Sequence, residues 1–435
     1  MHPLKKNKSV NIITLGCSKN LVDSEQLAGY LNSAGYNVKY DSGDFSDVAI
    51  VNTCGFIQDA KEESIDTILN FIRAKTENKV GRVIVMGCLS QRYAKELSEE
   101  IPEVDAFYGV DDIPRIAREL FDDPKKTLIG ERRISTPSHY AYLKIAEGCN
   151  RKCSFCAIPM IRGKHRSRPS DEIIREAEYL SNQGVKELIL ISQDLSFYGY
   201  DLNRRYQLPD LIRKLAQIEK LEWIRLQYLY PASFPLDILK IMQENDNICK
   251  YIDIPIQHIS DKILRSMRRG FTRKETIGLL NRIRKEVPGA AIRTTLITGY
   301  PGETERDFEA LIEFVKTFRF ERLGAFTYSE EEGTQAAGLN DNIPQELKQE
   351  RLERIMQLQE TISLEKNQSL IGKKLNVLID RVEGDFYVGR TQYDSPEVDN
   401  EVLIPRQNDM LQTGRFYQVI TTAAHPYDLT ARLLT

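Results

Sequence analysis

The sequence predicts an α/β protein in three parts: a parallel α/β layer, an open (β/α)6 partial barrel and a small all-β barrel. Three observations predict it. Short β-branched runs alternate with helical patterns near the start, as in parallel βαβ units. Six further strand–helix repeats follow, too few for a complete eight-unit barrel, which needs roughly 250 residues. Short strands separated by turn residues close the chain, the pattern of a small barrel. The expected domains are residues 8–125, 135–366 and 369–435, in keeping with about three domains for 435 residues.

In the first part Val10-Asn11-Ile12-Ile13-Thr14-Leu15 is a strand ending at Gly16-Cys17, followed by a helix over Asp23–Ala34 closed by Gly35. Asp47–Asn52 is a second strand, ending at Thr53-Cys54-Gly55 before a helix over Lys61–Ala74. Arg82–Met86 is a third, ending at Gly87-Cys88 before a helix from about Gln91. Each strand delivers one cysteine at its C-terminal end, the edge where open α/β sheets bind ligands.

In the second part the strands are Tyr140–Ile145, Glu187–Ser192, Trp223–Leu229, Tyr251–Ile256, Ala291–Thr298 and Leu323–Tyr328. Amphipathic helices lie between them over Asp171–Ser181, Leu208–Glu219, Lys262–Arg269, Thr276–Glu286 and Glu305–Phe318. A charged helix follows over Pro344–Lys366, with Glu350 and Arg354 spaced for an i,i+4 ion pair. The third part offers strands over Leu375–Ile379, Phe386–Arg390, Glu401–Ile404 and Arg415–Thr422, expected to belong to a five-stranded barrel whose fifth strand is not placed.

The composition narrows the function. An apolar fraction of 41% and a charged fraction of 28% exclude disorder for the bulk of the chain. No apolar run is long enough to span a membrane, and Met1–Lys6 lacks an apolar signal core, so a soluble cytoplasmic protein is expected. A net charge of −3 disfavours a globally basic nucleic-acid binder. Seven cysteines without an export signal point to metal ligands or reactive thiols rather than disulfides.

The densest chemistry is Glu147-Gly148-Cys149-Asn150-Arg151-Lys152-Cys153-Ser154-Phe155-Cys156, three thiols on a loop after the first barrel strand. Thiolates suit zinc or iron–sulfur clusters. Structural zinc wants four ligands, so a zinc knuckle would need a distant partner such as His165. Three cysteines around four irons would instead leave one iron open, an arrangement for catalysis. Cys17, Cys54 and Cys88 form a second set, since neighbouring parallel strands lie about 4.8 Å apart and their ends can converge. Lone cysteines are often inert small hydrophobes, and Cys249 is read that way.

The C-x-x-x-C-x-x-C spacing of Cys149, Cys153 and Cys156 resembles the signature of radical S-adenosylmethionine enzymes. That resemblance implies a 4Fe–4S cluster whose open iron binds S-adenosylmethionine and cleaves it to a 5′-deoxyadenosyl radical. Thr14-Leu15-Gly16-Cys17-Ser18-Lys19-Asn20-Leu21-Val22-Asp23-Ser24-Glu25, Asn52-Thr53-Cys54-Gly55-Phe56-Ile57 and Met86-Gly87-Cys88-Leu89 resemble the N-terminal domain of methylthiotransferases. The all-β tail resembles a TRAM domain. The likeness runs from about Val10 to Leu433 and implies a second 4Fe–4S cluster on Cys17, Cys54 and Cys88 that carries the sulfur to be inserted. By the same analogy Ser192 and Gln193, and Gly299 in Leu296-Ile297-Thr298-Gly299-Tyr300-Pro301-Gly302-Glu303, are expected to contact S-adenosylmethionine.

Arg162-Gly163-Lys164-His165-Arg166-Ser167-Arg168 carries four positive charges in seven residues. Arg168 is the candidate there for the cofactor carboxylate, against the plainer reading of a solvated charge run. His258 ends a strand, where it either faces the site or sits as a bonded core histidine.

Two substrate classes belong to this family: an adenosine beside the tRNA anticodon and an aspartate of small-subunit ribosomal protein S-twelve. From Asp380 to Glu401 seven acidic residues stand against two basic ones, a net of −5. RNA binding needs Lys and Arg on phosphates, whereas an acidic tail suits a basic protein. Gly384–Asp399 and Cys17-Ser18-Lys19-Asn20 also resemble the ribosomal-protein branch. The expectation is methylthiolation of an aspartate β-carbon of that protein, with tRNA as the alternative substrate. An external electron donor and a sulfur source are implied partners; no membrane is.

Overall fold

In the N-terminal sheet Val10, Ile12, Val48, Ile50, Ile84 and Met86 join one buried cluster, and Ile13, Ala49, Val51, Val83 and Val85 another. Apolar packing on both faces is what a parallel sheet covered by helices requires. The computed structural model describes residues 9–43, 45–120, 132–406 and 410–434. The Met1–Lys6 opening, and the outermost residues of the expected first and third domains, lie outside the described residues. Two compact units emerge. Unit one comprises Met1–Thr136, Tyr142–Arg151 and Cys156–Tyr179, and unit two comprises Pro137–Ala141, Lys152–Phe155 and Leu180–Thr435.

The sheet of unit one is built from β1 (Ser9–Thr14), β2 (Asn37–Tyr40), β3 (Ser46–Thr53), β4 (Val80–Gly87) and β5 (Ala106–Phe107) in the parallel order β2-β1-β3-β4-β5. Its helices are α1 (Ser18–Ser33), α2 (Gln58–Thr76), α3 (Cys88–Glu100) and α4 (Ile113–Leu120). Helix α1 starts five residues before the expected Asp23, because its buried first turns carry Asn20, Asp23, Ser24 and Glu25, polar residues that hide the apolar period. Helix α3 starts at Cys88 and departs from helical geometry at Tyr93, near the start expected from sequence. The short β2, β5 and α4 are additions to the expected pattern.

The second sheet contains β6 (Tyr140–Lys144), which crosses between the units in sequence. Next come the two-residue strands β7 (Ala146–Glu147) and β8 (Arg166–Ser167), the short α5 (Ile158–Ile161) and α6 (Ser170–Asn182). Strand β9 (Glu187–Ile191), α7 (Tyr200–Asn203), α8 (Leu208–Leu215), β10 (Trp223–Leu226), α9 (Asp237–Glu244), β11 (Ile248–Asp253), α10 (Asp261–Ser266), α11 (Arg273–Glu286), β12 (Ala291–Thr298), α12 (Glu305–Phe318) and β13 (Arg322–Thr327) follow. The order β13-β12-β11-β10-β9-β6 is the open six-stranded sheet expected. Helix α13 (Gln345–Gln368) leads to a closed barrel of β14 (Lys374–Glu383), β15 (Phe386–Arg390), β16 (Glu401–Pro405), β17 (Phe416–Ala424) and β18 (Asp428–Leu433). Strand β18 is the fifth strand that the sequence left unplaced.

Two charge readings are corrected. Arg354 pairs with Glu305 and Glu309 of α12 instead of Glu350, so its charge ties two helices together. Three of the seven acidic residues from Asp380 to Glu401 have buried side chains. Asp380 binds Arg390 and His139, Asp394 binds Arg322, and Asp399 binds Arg293 and the Tyr251 hydroxyl. Glu383 and Glu401 are engaged by Arg381. The acid that looked like a substrate-attracting surface largely neutralises arginines from the N-terminal halves of the sheet strands and from the barrel itself. Among the described residues no helix is long and apolar enough to cross a membrane.

Candidate active site

The three N-terminal cysteines follow strand residues that are in register. Thr14 of β1 stands opposite Asn52 of β3, and Thr53 of β3 opposite Gly87 of β4. Cys54 and Cys88 therefore leave neighbouring strands side by side, with Cys17 at the mouth of α1. Glycine permits the approach. A Cβ on Gly16 (φ +87°) would stand 2.7 Å from Cys54 Cβ and 2.9 Å from its sulfur, and one on Gly55 would stand 2.7 Å from the Leu89 backbone. The Ser64 hydroxyl accepts from Cys54 N–H at 3.1 Å and donates to its carbonyl at 3.0 Å. Cys17 is exposed, while Cys54 and Cys88 are buried. Burial pushes the Cys88 thiol up to about 12 against the pull of Arg162, with Cys17 and Cys54 adding to the rise. Burial likewise raises Cys54, and Cys17 again contributes.

Behind them lies a buried charge cluster that the sequence reading did not find. Arg162, only 2% exposed, donates Nη1–H to Asp23 at 3.1 Å and to Glu147 at 2.9 Å, and Nη2–H to the Asn20 side-chain oxygen at 2.5 Å. Lys144 also pairs with Asp23, and with Glu147 at 2.7 Å. The Cys88 sulfur lies 3.6 Å from that same Asn20 oxygen. Asn20 is fixed in turn, its amide donating to the carbonyls of Leu15 at 2.8 Å and Thr53 at 3.0 Å. All these residues belong to unit one. Asn20, Asp23 and Glu147 all stand inside the cysteine-bearing motifs, which was the only local signal for them.

Arg168 is committed elsewhere. Its guanidinium binds Glu176 at 2.7 Å and the Lys144 carbonyl at 2.8 Å, so a carboxylate of the protein already matches the charge expected for the cofactor. Arg166 pairs with Asp111 at the surface, and His165 lies 3.1 Å from the Ser167 hydroxyl. In the charge run Arg162, His165, Arg166 and Arg168 thus each have a protein partner.

The segment bearing the other triad is divided between the units in sequence. In unit one Gly148 (φ +75°) lies where a Cβ would stand 2.2 Å from the Lys164 carbonyl, and Cys149 N–H donates to Gly163 at 3.1 Å. Arg151 N–H points at the Cys149 sulfur at 3.4 Å. In unit two Arg269 donates Nη1–H to the Cys153 sulfur at 3.2 Å, and the Tyr230 hydroxyl is 3.7 Å from it. Ser154 binds the carbonyls of Met267 and Ser266 and the Tyr300 hydroxyl. Tyr230 and Tyr300 follow β10 and β12, so Cys153 lies over the C-terminal strand ends, as expected for this fold. Cys149, Cys153 and Cys156 are all partly exposed.

At the same strand ends Ser192 is buried and accepts from Asp194 N–H at 3.1 Å, with the half-buried Gln193 between them. Gly299 (φ +71°) gives its N–H to Glu303, and the Lys348 stem lies 2.2 Å from where its Cβ would be. His258 proves to be a core histidine: its Nδ1 accepts from Ile259 and Ser260 N–H at 2.9 Å, and Nε2 lies 3.5 Å from Glu303. Cys249 is buried among Trp223, Tyr251, Ala291 and Leu378, a structural residue.

Among the described residues no three His, Cys, Asp or Glu gather tightly enough for one metal ion. A cluster asks less, because each thiolate binds a different iron. The donor chemistry of both triads fits such groups: soft thiols, N–H donors aimed at two sulfurs of one triad, and glycine-lined backbone that leaves room beside the other.

A parallel six-stranded sheet with a three-thiol loop after its first strand defines a radical S-adenosylmethionine enzyme. The family models of the Radical SAM superfamily, the uncharacterized protein family UPF0004 and the TRAM domain match residues 143–315, 9–109 and 371–434. Superfamily membership implies a 4Fe–4S cluster and S-adenosylmethionine. Over 431 residues the chain is 54% identical to the ribosomal protein uS12 methylthiotransferase RimO of Bacteroides fragilis, covering 99% of this chain and 100% of that one. It is 53% identical over 431 residues to the protein of the same name from Bacteroides thetaiotaomicron, covering 99% of both. The chain belongs to the ribosomal protein uS12 methylthiotransferase family. A solved radical S-adenosylmethionine methyltransferase, TsrM from Kitasatospora setae, shares the fold at a TM-score of 0.56 and 14% identity, over 87% of this chain and 79% of that one.

Proposed function

We propose that this protein methylthiolates the β-carbon of an aspartate in ribosomal protein uS12, in the cytoplasm, using two 4Fe–4S clusters and S-adenosylmethionine. The observation that carries the reading is end-to-end identity of 54% with a uS12 methylthiotransferase in a chain where six of the seven cysteines fall into two sets of three. Cys149, Cys153 and Cys156 are assigned to the cluster that engages S-adenosylmethionine, and Cys17, Cys54 and Cys88 to the second. The functional parts are residues 8–125, 135–366 and 369–435.

No side chain has a pKa suited to deprotonating an unactivated C–H bond. When bound, the clusters and S-adenosylmethionine supply the one-electron chemistry, the methyl group and the sulfur. The chain's own residues do the rest. Gly148, Gly163 and Ser154 fix the cysteine loop, while Arg151 N–H and Arg269 stabilise negative charge on sulfur. Ser192 and Gln193 line the strand ends, where S-adenosylmethionine is placed. Gly16 and Gly55 keep the space by Cys54 and Leu89 clear of side chains. Reducing equivalents come from an external one-electron donor, and sulfur from an external sulfide-class source.

The test is anaerobic reconstitution with iron and sulfide, followed by incubation with S-adenosylmethionine, reductant and either uS12 or tRNA. Mass spectrometry is expected to show a methylthio group on an aspartate of uS12. Modification of tRNA alone would overturn the choice of substrate.

A further inference from the structure

We propose that Arg162 tunes the second cluster: a fixed buried cation beside the Cys17, Cys54 and Cys88 triad that holds its reduction potential up. The inference rests on that triad carrying a cluster. The guanidinium is two-sided. Nη1 faces the carboxylates of Asp23 and Glu147, while Nη2 faces the Asn20 oxygen, which is also a polar contact of the Cys88 sulfur at 3.6 Å. Cys88 packs against Val110, Ala157 and Ile161, the last being the residue before Arg162. Water is excluded on that side, so a charge acts there with little screening.

The arrangement has a direction. Arg162 and Lys144 are matched by Asp23 and Glu147, so the four charges balance. Arg162 is the member that meets Asn20, and Asn20 meets Cys88. Three thiolates and a cluster add negative charge on this side, where the cation stands in front and its carboxylates behind. Cluster potentials depend on net charge, hydrogen bonds to sulfur and exposure. A cation in front favours the state with one more electron, supplied by an external low-potential donor with no bond made or broken. Structure alone does not call for such a device, since a buried ion network is often no more stabilising than apolar packing. Arg162 is a positioning residue, not one that touches substrate. It also spans from the second triad to Glu147, two residues before Cys149, so one side chain links the two cysteine motifs within unit one.

The experiment is potentiometric titration of the reconstituted full-length protein followed by electron paramagnetic resonance, with and without S-adenosylmethionine. The signal that the cofactor leaves unchanged reports the second cluster. In Arg162→Gln this signal is expected to titrate at a lower potential, with the cofactor-sensitive signal little moved and iron and sulfide as in the wild type. Arg162→Lys is expected to fall between. The double variant Asp23→Asn with Arg162→Gln removes the cation together with one of its carboxylates, leaving Lys144 with Glu147, and is expected to shift the same way. An unmoved potential in either neutral variant with full iron content would overturn the proposal. Loss of the second cluster in both neutral variants but not in Arg162→Lys supports a requirement for charge; loss in all three overturns it. A wild type holding only one cluster would instead remove the reading on which the proposal stands.

Discussion

Arg269 donates a hydrogen bond to the sulfur of Cys153 at 3.2 Å while its guanidinium lies 4.5 Å from the centre of the Tyr230 ring, whose hydroxyl donates to the Arg269 carbonyl at 2.6 Å. The arginine is thus locked by its own neighbour and has little freedom to leave the sulfur. Partners that orient a metal ligand typically contribute 10–100-fold in affinity or activity. Arg269→Gln is therefore expected to slow reductive cleavage of S-adenosylmethionine by roughly 10–100-fold. Release of 5′-deoxyadenosine measures this, and a wild-type rate would show that the contact is incidental.

The two triads are expected to fail separately. Cys153→Ala removes one cluster and all cofactor cleavage. Cys54→Ala leaves cleavage but abolishes sulfur insertion. Iron and sulfide analysis with product mass spectrometry distinguishes them, starting from about eight irons and eight sulfides in the wild type. A Cys54→Ala protein that still inserts sulfur would show that the second triad is not the sulfur site.

What the sequence disclosed was whatever is encoded locally. The runs ending at Cys17, Cys54 and Cys88 were legible because β-branched strands and the glycines beside the cysteines are neighbours in sequence. The same holds for the three-thiol loop and for Ala291–Thr298, whose expected bounds are those of β12. Arg162 was not legible: its partner Asp23 is 139 residues away, and a charge run looks the same whether solvated or buried. Asp380, Asp394 and Asp399 misled for the same reason, since a net charge counts residues and takes no account of burial.

Glu187 is fully buried between two arginines, 2.7 Å from Arg225 and 2.9 Å from Arg390. Removing its charge leaves both cations without a carboxylate that each uses. Breaking a buried pair costs about 3–5 kcal/mol, so Glu187→Gln is expected to destabilise unit two by about that much. Loss of the exposed Arg175–Asp171 pair is expected to cost far less, because solvent screens it. Urea midpoints of the two variants provide the comparison, and equal midpoints would refute the distinction.

Asp307 caps α12 together with Thr304 and accepts from Ser260 at 2.6 Å. Partial burial pushes its carboxyl up, but hydrogen bonds from Ser260 and Thr304 and the charge of Lys262 win, lowering it from 3.8 to about 2. A depressed folded-state pKa gives stability that is present above the unfolded value and lost as pH falls through the folded one. The wild type is therefore expected to exceed Asp307→Asn in stability at neutral pH, with the gap closing between pH 3.8 and about 2. Denaturation midpoints of both proteins at pH 6 and across that window would show it; a gap of constant size would contradict the assignment.

Gly16 tests the second triad without touching a thiol. Its φ of +87° is unfavourable for any residue with a Cβ, and the added atom would stand 2.7 Å from Cys54 Cβ and 2.9 Å from its sulfur. The crowding can be relieved only by moving Cys54 or the turn between β1 and α1 that carries Cys17. Either shift separates the thiols while leaving the loop of Cys149, Cys153 and Cys156 unaltered in sequence. Gly16→Ala is therefore expected to resemble Cys54→Ala more than a general folding defect: reduced iron and sulfide, retained cofactor cleavage and impaired sulfur insertion. Its circular dichroism spectrum should match that of the wild type. If Gly16→Ala loads both clusters fully and inserts sulfur at the normal rate, the close approach at Cys54 is not what shapes the second site.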